Sequence, residues 1–497
     1  MSTIRKPNIV FVLADDLGYG DVSCLNPEGK IPTPNIDSIA KQGMKFTNMH
    51  ASSSVCSPSR YSVLTGRYCW RKMSHGIVDV YGDAIIPPER MTVANLLKEQ
   101  GYDTACFGKW HLGMGWKKTG RLDEINGNLP EIDFTYPVTA GPTTNGFDYY
   151  FGVDVPNWPP YCFVENKNTV GIPSGKSPFG ISNEEISIQG PCVEGWHLEN
   201  ILFEITNRAC SYIKEKAKSD KPFFIYYPLT SPHTPLAVNN PWRGASGLNT
   251  YADFVVETDA MVGKLLDTLD ETGTAENTLF IFTSDNGCAH YIGADYLESK
   301  GHFPSYIYRG YKADAWDGGH RIPFVAKWPG IVRRSGIYAN PASLVDFFAT
   351  VAEITGTHLP DNAAEDSISF LSVLKGRAQS SPRDVIISHS LRGKFSICKN
   401  NWKLILCSGS GGFDMSGGYD DIPLDTSVAA ENQLFPKPKY QLYDLEKDPS
   451  EQNNLYSQNP EIVSELTAIL GDVISQGRST PGKPQKNEIE CIEYTHR

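Results

Sequence analysis

No apolar run in this 497-residue sequence approaches the roughly 18 residues of a membrane-spanning helix, so no membrane span is expected. The basic pair Arg5 and Lys6 near the N-terminus lacks a following apolar segment with a small-residue cleavage site. Basic charge is in deficit: Lys+Arg total 45 against 57 Asp+Glu, a formal net charge of −12. Such a chain lacks the positive footprint of a phosphate-backbone binder, which excludes nucleic acid as an expected partner. None of the 11 cysteines forms a C-x-x-C pair, which removes zinc ribbons and thioredoxin-type chemistry. Their odd number leaves at least one thiol outside any intrachain disulfide, and such a thiol can serve as a nucleophile. There is neither an internal repeat nor an extended charge block. What is abundant is core-forming material: 40% hydrophobic and 11% aromatic residues against 21% charged exclude general disorder. Gly (44) and Pro (34) imply many loops. The length allows about three units on a scale of roughly 150 residues each, and the pattern below reduces them to two.

Pro7–Ala14 is a continuous apolar run rich in β-branched residues, the mark of a strand buried on both faces of a parallel sheet. Further buried strands fit 102–107, 222–227, 278–283 and 322–327, alternating with helical or loop segments as in α/β proteins. Tyr251–Leu269 has apolar residues at helical spacing before Gly273, and 342–355 reads as a helix stopped by Gly356. Residues 116–196 are polar, aromatic and nearly without periodicity, and a structureless loop of that length is usually functional. After about Ser380 the pattern changes to short strands at 384–390, 395–399 and 402–406, then a Gly/Ser/Asp-rich stretch at 408–421 and a helix near 461–471. The expected architecture is a large mixed, mostly parallel sheet flanked by helices over residues 1–380, with a smaller antiparallel-sheet α+β subdomain over 381–497.

The chemistry-bearing residues gather at predicted strand ends, where open α/β sheets bind ligands. Asp15-Asp16 ends the first strand, and Asp285-Asn286-Gly287 ends the strand at 278–283. Two such ends supply a hard-cation site made wholly of oxygen, although either pair alone also suits an ordinary turn. In Cys56-Ser57-Pro58-Ser59-Arg60, Pro58 suits the first helical position and Ser57 the N-cap. Cys56 would then sit before a helix whose N–H groups and Arg60 favour a bound anion, or be a buried thiol beside a plain helix start. Lys109 and His111 follow the strand at 102–107, and His233 stands between Pro232 and a Thr234-Pro235 pair after the strand at 222–227. Lys312 precedes Trp316-Asp317-Gly318-Gly319-His320-Arg321. A lone His or Lys is commonly structural; convergence on one sheet edge is what marks these.

At these residues the sequence resembles the type I, formylglycine-dependent sulfatases of the alkaline phosphatase superfamily. The C-x-P-x-R core at 56–60, continued by Leu64-Thr65-Gly66-Arg67, matches that family's signature for conversion of Cys to formylglycine. Matches run from Asp15-Asp16 through 108–113, His233, 285–287 and Lys312 to Trp402-Lys403-Leu404 and Tyr443-Asp444-Leu445, nearly the whole chain. The resemblance implies hydrolysis of sulfate monoesters with one Ca²⁺ held by Asp15, Asp16, Asp285 and Asn286 and touching residue 56. It also implies that residue 56, as the hydrated aldehyde, attacks sulfur, and that its second hydroxyl resolves the sulfo-enzyme intermediate. Arg60 and Lys109 would hold residue 56 and sulfate oxygens, His111 would support deprotonation of the diol, and His233 with Lys312 would serve the leaving alcohol. A geminal diol needs no water to release the sulfate, where a plain serine would.

The resemblance points further to bacterial polysaccharide sulfatases acting on sulfated carbohydrate, galactose- or N-acetylgalactosamine-6-sulfate among the units considered. It implies a formylglycine-generating maturation enzyme as partner and a periplasmic or extracellular location, with the leader absent from this chain. Trp158 and Tyr161 offer aromatic faces to sugar rings; His302, Arg309, His320 and Arg321 flank Lys312 and are the other expected substrate contacts. The charge of −12 favours a confined pocket over an extended groove for a sulfated chain. Two other readings are a phosphonate monoester or phosphodiester hydrolase of the same superfamily and a non-catalytic sulfated-glycan binder. The former relatives resemble one another in a His at the place of Asn286, and a binder has no need of the full set of acid, base and ligand groups.

Overall fold

The computed structural model describes residues 6–177, 187–378, 380–413 and 439–489. A ten-stranded sheet runs in the order Gly336–Tyr338, Met44–Phe46, Phe324–Lys327, Thr278–Ser284, Asn8–Ala14, Phe223–Pro228, Asp103–Lys109, Tyr149–Val153, Val164–Glu165, Asn168–Thr169. The five strands from Thr278–Ser284 to Tyr149–Val153 are all parallel, so their C-terminal ends share one edge. Phe324–Lys327 pairs antiparallel with Thr278–Ser284, which makes the sheet mixed as expected.

Alternation along the central strand splits the core in two. Ile9, Phe11 and Leu13 face a cluster containing Tyr61, Val63, Leu96 and Phe348, from helices Cys56–Thr65, Val93–Glu99 and Phe347–Thr355. Val10, Val12 and Ala14 face the cluster of Ile36, Ile205, Val255 and Val262, from Pro34–Gln42, Asn200–Lys216 and Thr250–Glu271. Burial on both faces is why the strand reads as an unbroken apolar run.

Near the C-terminus, Val385–His389, Phe395–Lys399, Trp402–Ile405 and Gln441–Asp444 form a four-stranded antiparallel sheet. Leu466 and Leu470 of helix Pro460–Ser475 cover it in a cluster shared with Tyr68, Trp70 and Val345. Residues 414–421 of the Gly/Ser/Asp-rich stretch lie outside the described residues.

Three local expectations are corrected. The segment at 342–355 is not helical from its start: Asp346 Oδ2 accepts the Ser343 N–H at 3.0 Å and binds Arg383, fixing a 3₁₀ turn before the helix Phe347–Thr355. Residues 116–196 are not structureless, because Tyr149–Val153 is a strand of the main sheet and shorter pairs surround it. Ser57 is not an N-cap; the helix begins at Cys56, and the Ser57 hydroxyl instead accepts the Val78 N–H at 3.1 Å. Among the described residues no helix is long and apolar enough to cross a membrane, and none of their ten cysteines is in a disulfide.

Candidate active site

Parallel register delivers the site. Asp15 and Asp16 leave the central strand, Asp285 and Asn286 its neighbour, Lys109 ends the strand Asp103–Lys109, and His233 follows Phe223–Pro228. One ligand atom each from Asp15, Asp16, Cys56 and His233 lies within 4.8 Å of the other three. Each acidic residue gives one carboxylate oxygen to a cationic side chain: Asp15 Oδ2 to Lys109 Nζ at 2.8 Å, Asp16 Oδ2 to Lys312 Nζ at 2.7 Å, Asp285 Oδ2 to Arg60 Nη2 at 2.7 Å. These three pairs cancel formally, so a divalent cation at this place would make the pocket attractive to a sulfate monoester inside an acidic protein.

The donor set fits such a cation. Asn286 donates Nδ2 to Asp16 Oδ1 at 2.8 Å and to the Gly287 carbonyl, while its own Oδ1 is buried without a hydrogen-bond partner. An orphaned carbonyl oxygen beside three carboxylates is costly unless a cation or a donor meets it. Gly287 closes the turn at a point where a Cβ would lie 1.9 Å from the Gly318 carbonyl oxygen.

Electrostatics divides the carboxylates. Burial alone would raise Asp15, yet Lys109, His233, Arg60 and Lys312 together hold it well below the usual carboxylate range. Burial, then the charge of Asp15, pushes Asp285 up. Cys56 is 1% exposed, and burial pushes its thiol up to about 12, so as cysteine it stays protonated and a poor nucleophile.

His111 sits at the turn after Lys109 with a positive φ of 53°. Its Nε2–H donates to the Val78 carbonyl at 3.1 Å, which leaves Nδ1 as a buried lone pair without a partner. Burial, then Lys109 and Arg60, holds this imidazole well below its ordinary value, hence neutral. Asp154, which the sequence reading missed, anchors it by accepting the His111 N–H at both its carbonyl and its Oδ1. His233 donates Nδ1–H to the Thr234 carbonyl and accepts from Lys312 Nζ at Nε2, 3.1 Å away. Burial, then Lys312, lowers it to about 4.

The loop bearing Lys312 is gripped from the C-terminal sheet. Lys403 reaches Asp317 Oδ1 at 2.7 Å and Glu451 Oε1 at 2.8 Å, while Glu451 Oε2 accepts the Asp317 N–H at 2.7 Å. The Glu451 carbonyl accepts Arg309 Nη1 at 2.8 Å, so one residue holds both ends of the loop.

The expected substrate contacts divide unevenly. Trp158 is half-buried with its ring edge-on to His111 at 5.3 Å, beside the site. Tyr161 is not a stacking face: it is 1% exposed and its hydroxyl lies 2.9 Å from the Asn157 carbonyl. His302 is fully buried between the Lys30 N–H and Asp21 Oδ1, at 3.0 and 2.8 Å. His320 is buried between His50 Nδ1 and Lys403 Nζ, at 3.0 and 3.2 Å. Arg321 lies over Tyr308 and pairs with Asp317, and Arg309 lies over Trp316 at 3.7 Å. For His302, His320, Arg309 and Arg321 a partner distant in sequence has claimed the polar group, Asp21, His50, Glu451 and Thr47 in turn. Arg309→Ala should therefore lower the thermal midpoint by an amount equivalent to about 1–2 kcal/mol and reduce all activities together. Trp158→Ala should instead reduce the ratio of saccharide to aryl sulfate kcat/KM about tenfold. Midpoints and both rates measured on the two variants check this, and a saccharide-selective loss in Arg309→Ala would reverse the assignment.

A strand-end cluster of carboxylates, a carboxamide oxygen and two lysines around the start of a buried helix defines a hydrolase of anionic esters on an alkaline phosphatase-like fold. The family model "Sulfatase" matches residues 7–357. An N-acetylgalactosamine-6-O-sulfatase of Bacteroides thetaiotaomicron is 35% identical over 94% of this chain and 93% of its own length. Human arylsulfatase A is 30% identical over 94% of this chain and 88% of its own. A solved Bacteroides thetaiotaomicron structure, described with the metabolism of multiple glycosaminoglycans, superposes with a TM-score of 0.78 at 34% identity, covering 94% of this chain and 99% of that one. The chain belongs to the sulfatase family and is a sulfuric ester hydrolase.

Proposed function

We propose that this sulfatase removes 6-O-sulfate from galactose or N-acetylgalactosamine units of sulfated saccharides, outside the cytoplasm, after a maturation enzyme has converted Cys56 to formylglycine. The observation that carries the chemistry is the meeting of Asp15, Asp16, Cys56 and His233, joined through Asp16 to Asn286, whose Oδ1 has no partner; the near full-length similarity to an N-acetylgalactosamine-6-O-sulfatase supports the sugar. Ca²⁺ on Asp15, Asp16, Asp285 and Asn286 would supply charge against the sulfate oxygens, and formylglycine hydrate at position 56 two hydroxyls on one carbon.

The chain's own residues do the rest. The bare Nδ1 of His111 would be the acceptor for a proton from the group at position 56. Lys109 and Lys312 face the anion from two sides of the carboxylate cluster. His233 Nε2 and Lys312 Nζ, 3.1 Å apart, share the proton that a departing sugar alcohol needs. Arg60 donates to the Lys109 carbonyl and to Asp285, which fixes the helix start against both strand ends.

A panel of 6-sulfated N-acetylgalactosamine, galactose and N-acetylglucosamine, a 4-sulfated N-acetylgalactosamine and a phosphonate monoester tests the reading. Preference for the 6-sulfated galacto-sugars supports it, and preference for the phosphonate overturns it. His233→Ala should lower kcat/KM for the saccharide on the order of 10²–10⁴-fold, the range of general acid catalysis, and affect 4-nitrophenyl sulfate far less, since nitrophenolate leaves without a proton. Equal losses on both substrates contradict a role for the His233–Lys312 pair in protonating the leaving alcohol.

A further inference from the structure

A second aromatic pair, apart from Trp158, borders the site, and its first member is Tyr291. It lies in the 3₁₀ turn His290–Ile292, five residues after Asn286, and its ring meets Phe413 edge-on at 6.3 Å. Phe413 packs in turn on a small apolar cluster of Val55, Ala313 and Leu391. Val55 immediately precedes Cys56 and Ala313 immediately follows Lys312, so the pair is seated on the backbone neighbours of the nucleophile position and of the loop lysine.

Tyr291 is divided along its length. The residue is 39% exposed although its ring is paired with Phe413. Its hydroxyl is directed toward the side of the site where Thr234, the residue after His233, keeps a buried Oγ1 without a hydrogen-bond partner, and Lys312, Asp16 and Cys56 act on it electrostatically. An aromatic residue partly open to solvent at this edge of the site combines two features a sugar needs, an apolar surface for the C–H face of a pyranose and a hydroxyl for its polar rim.

We propose that Tyr291, backed by Phe413, is a specificity-determining residue of this sulfatase, its ring and hydroxyl contacting the sugar on the leaving-group side next to His233 and Lys312. The inference rests on the saccharide reading above and adds to it the side chain that recognises the sugar. A 6-O-sulfate hangs from the exocyclic carbon, so the pyranose ring stands outside the sulfate pocket, at the level of a side chain that bridges pocket and solvent. A nitrophenyl group presents a flat face but no hydroxyl, and therefore uses only part of Tyr291.

The test measures kcat/KM of the matured, calcium-loaded enzyme on 6-sulfated N-acetylgalactosamine and on 4-nitrophenyl sulfate, for wild type, Tyr291→Phe and Tyr291→Ala, together with thermal midpoints. The ratio of saccharide to aryl sulfate kcat/KM should fall about fivefold in Tyr291→Phe, which removes only the hydroxyl, and tenfold or more in Tyr291→Ala, with midpoints close to wild type. A ratio unchanged in both variants, or activities falling in step with the midpoint, overturns the assignment and makes Tyr291 a packing residue. A wild type that cleaves the aryl sulfate and no sulfated saccharide overturns the saccharide reading itself, and this inference with it.

Discussion

Cys56→Ser is expected to fold as the wild type does and to lose multiple-turnover sulfate hydrolysis by on the order of 10⁴-fold or more, the scale seen when a covalent nucleophile is removed. The site is 1% exposed, and serine keeps the side-chain shape at slightly smaller size, with a hydroxyl that can donate toward Asp15 Oδ1, which lies 3.6 Å from the sulfur. Folding therefore has little to lose. Turnover has much to lose, because a serine hydroxyl can accept a sulfate group once but carries no second hydroxyl on the same carbon to expel it. The wild-type thiol is no better equipped while unmodified, since burial pushes it up to about 12 and keeps it protonated. Steady-state rates and intact mass after incubation with substrate check the outcome. One retained sulfate with no further turnover is the expected result, and sustained turnover at the wild-type rate would remove formylglycine from the mechanism.

The gathering of residues at one sheet edge was legible because direction follows from pattern. An unbroken apolar run such as 8–14 belongs to a strand covered on both faces, such strands are parallel, and parallel strands send Asp15, Lys109, His233 and Asp285 to one edge. The surroundings of the loop residues near Lys312 were not legible. His302, His320 and Arg321 were singled out for their nearness in the chain to Lys312, but an irregular loop has no fixed period that turns neighbours to one side. Their partners came from far away: Asp21 to His302 across 281 residues, His50 to His320 across 270, Thr47 to Arg321 across 274. Asp154 was missed because the strand it follows is only five residues long and contains Gly152, inside a segment without periodicity. Tyr291 carried a faint signal, an aromatic residue shortly after the Asp-Asn-Gly turn, which acquires meaning only once Phe413 is seen packed between the neighbours of Cys56 and Lys312.

Removal of the divalent cation is expected to abolish sulfate hydrolysis, by on the order of 10³-fold or more, and to lower the thermal midpoint, with Ca²⁺ restoring both. The argument starts from the oxygens. Asp15, Asp16 and Asp285 each commit Oδ2 to a lysine or arginine, and Asn286 presents an Oδ1 with no partner, so the site offers hard donors and a charge already balanced against three cations. Hard oxygen donors select Ca²⁺ or Mg²⁺ over zinc, and donors that come from two strand ends rather than from an octahedral cage suit the adaptable coordination of Ca²⁺. Binding to the folded state alone adds about 2.7 kcal/mol when the ion is at a hundred times its Kd, which a thermal scan reads without any substrate. Asp285→Ala should block restoration by Ca²⁺. Because it also strips Arg60 of its principal partner, it is to be read beside the chelated wild type, where every side chain is intact. Metal analysis of the purified protein decides between donors and ion: Ca²⁺ at one equivalent with a midpoint that falls on chelation agrees with the oxygen set, and stoichiometric zinc required for activity would show that Asp15, Asp16, Asp285 and Asn286 are not the ligands.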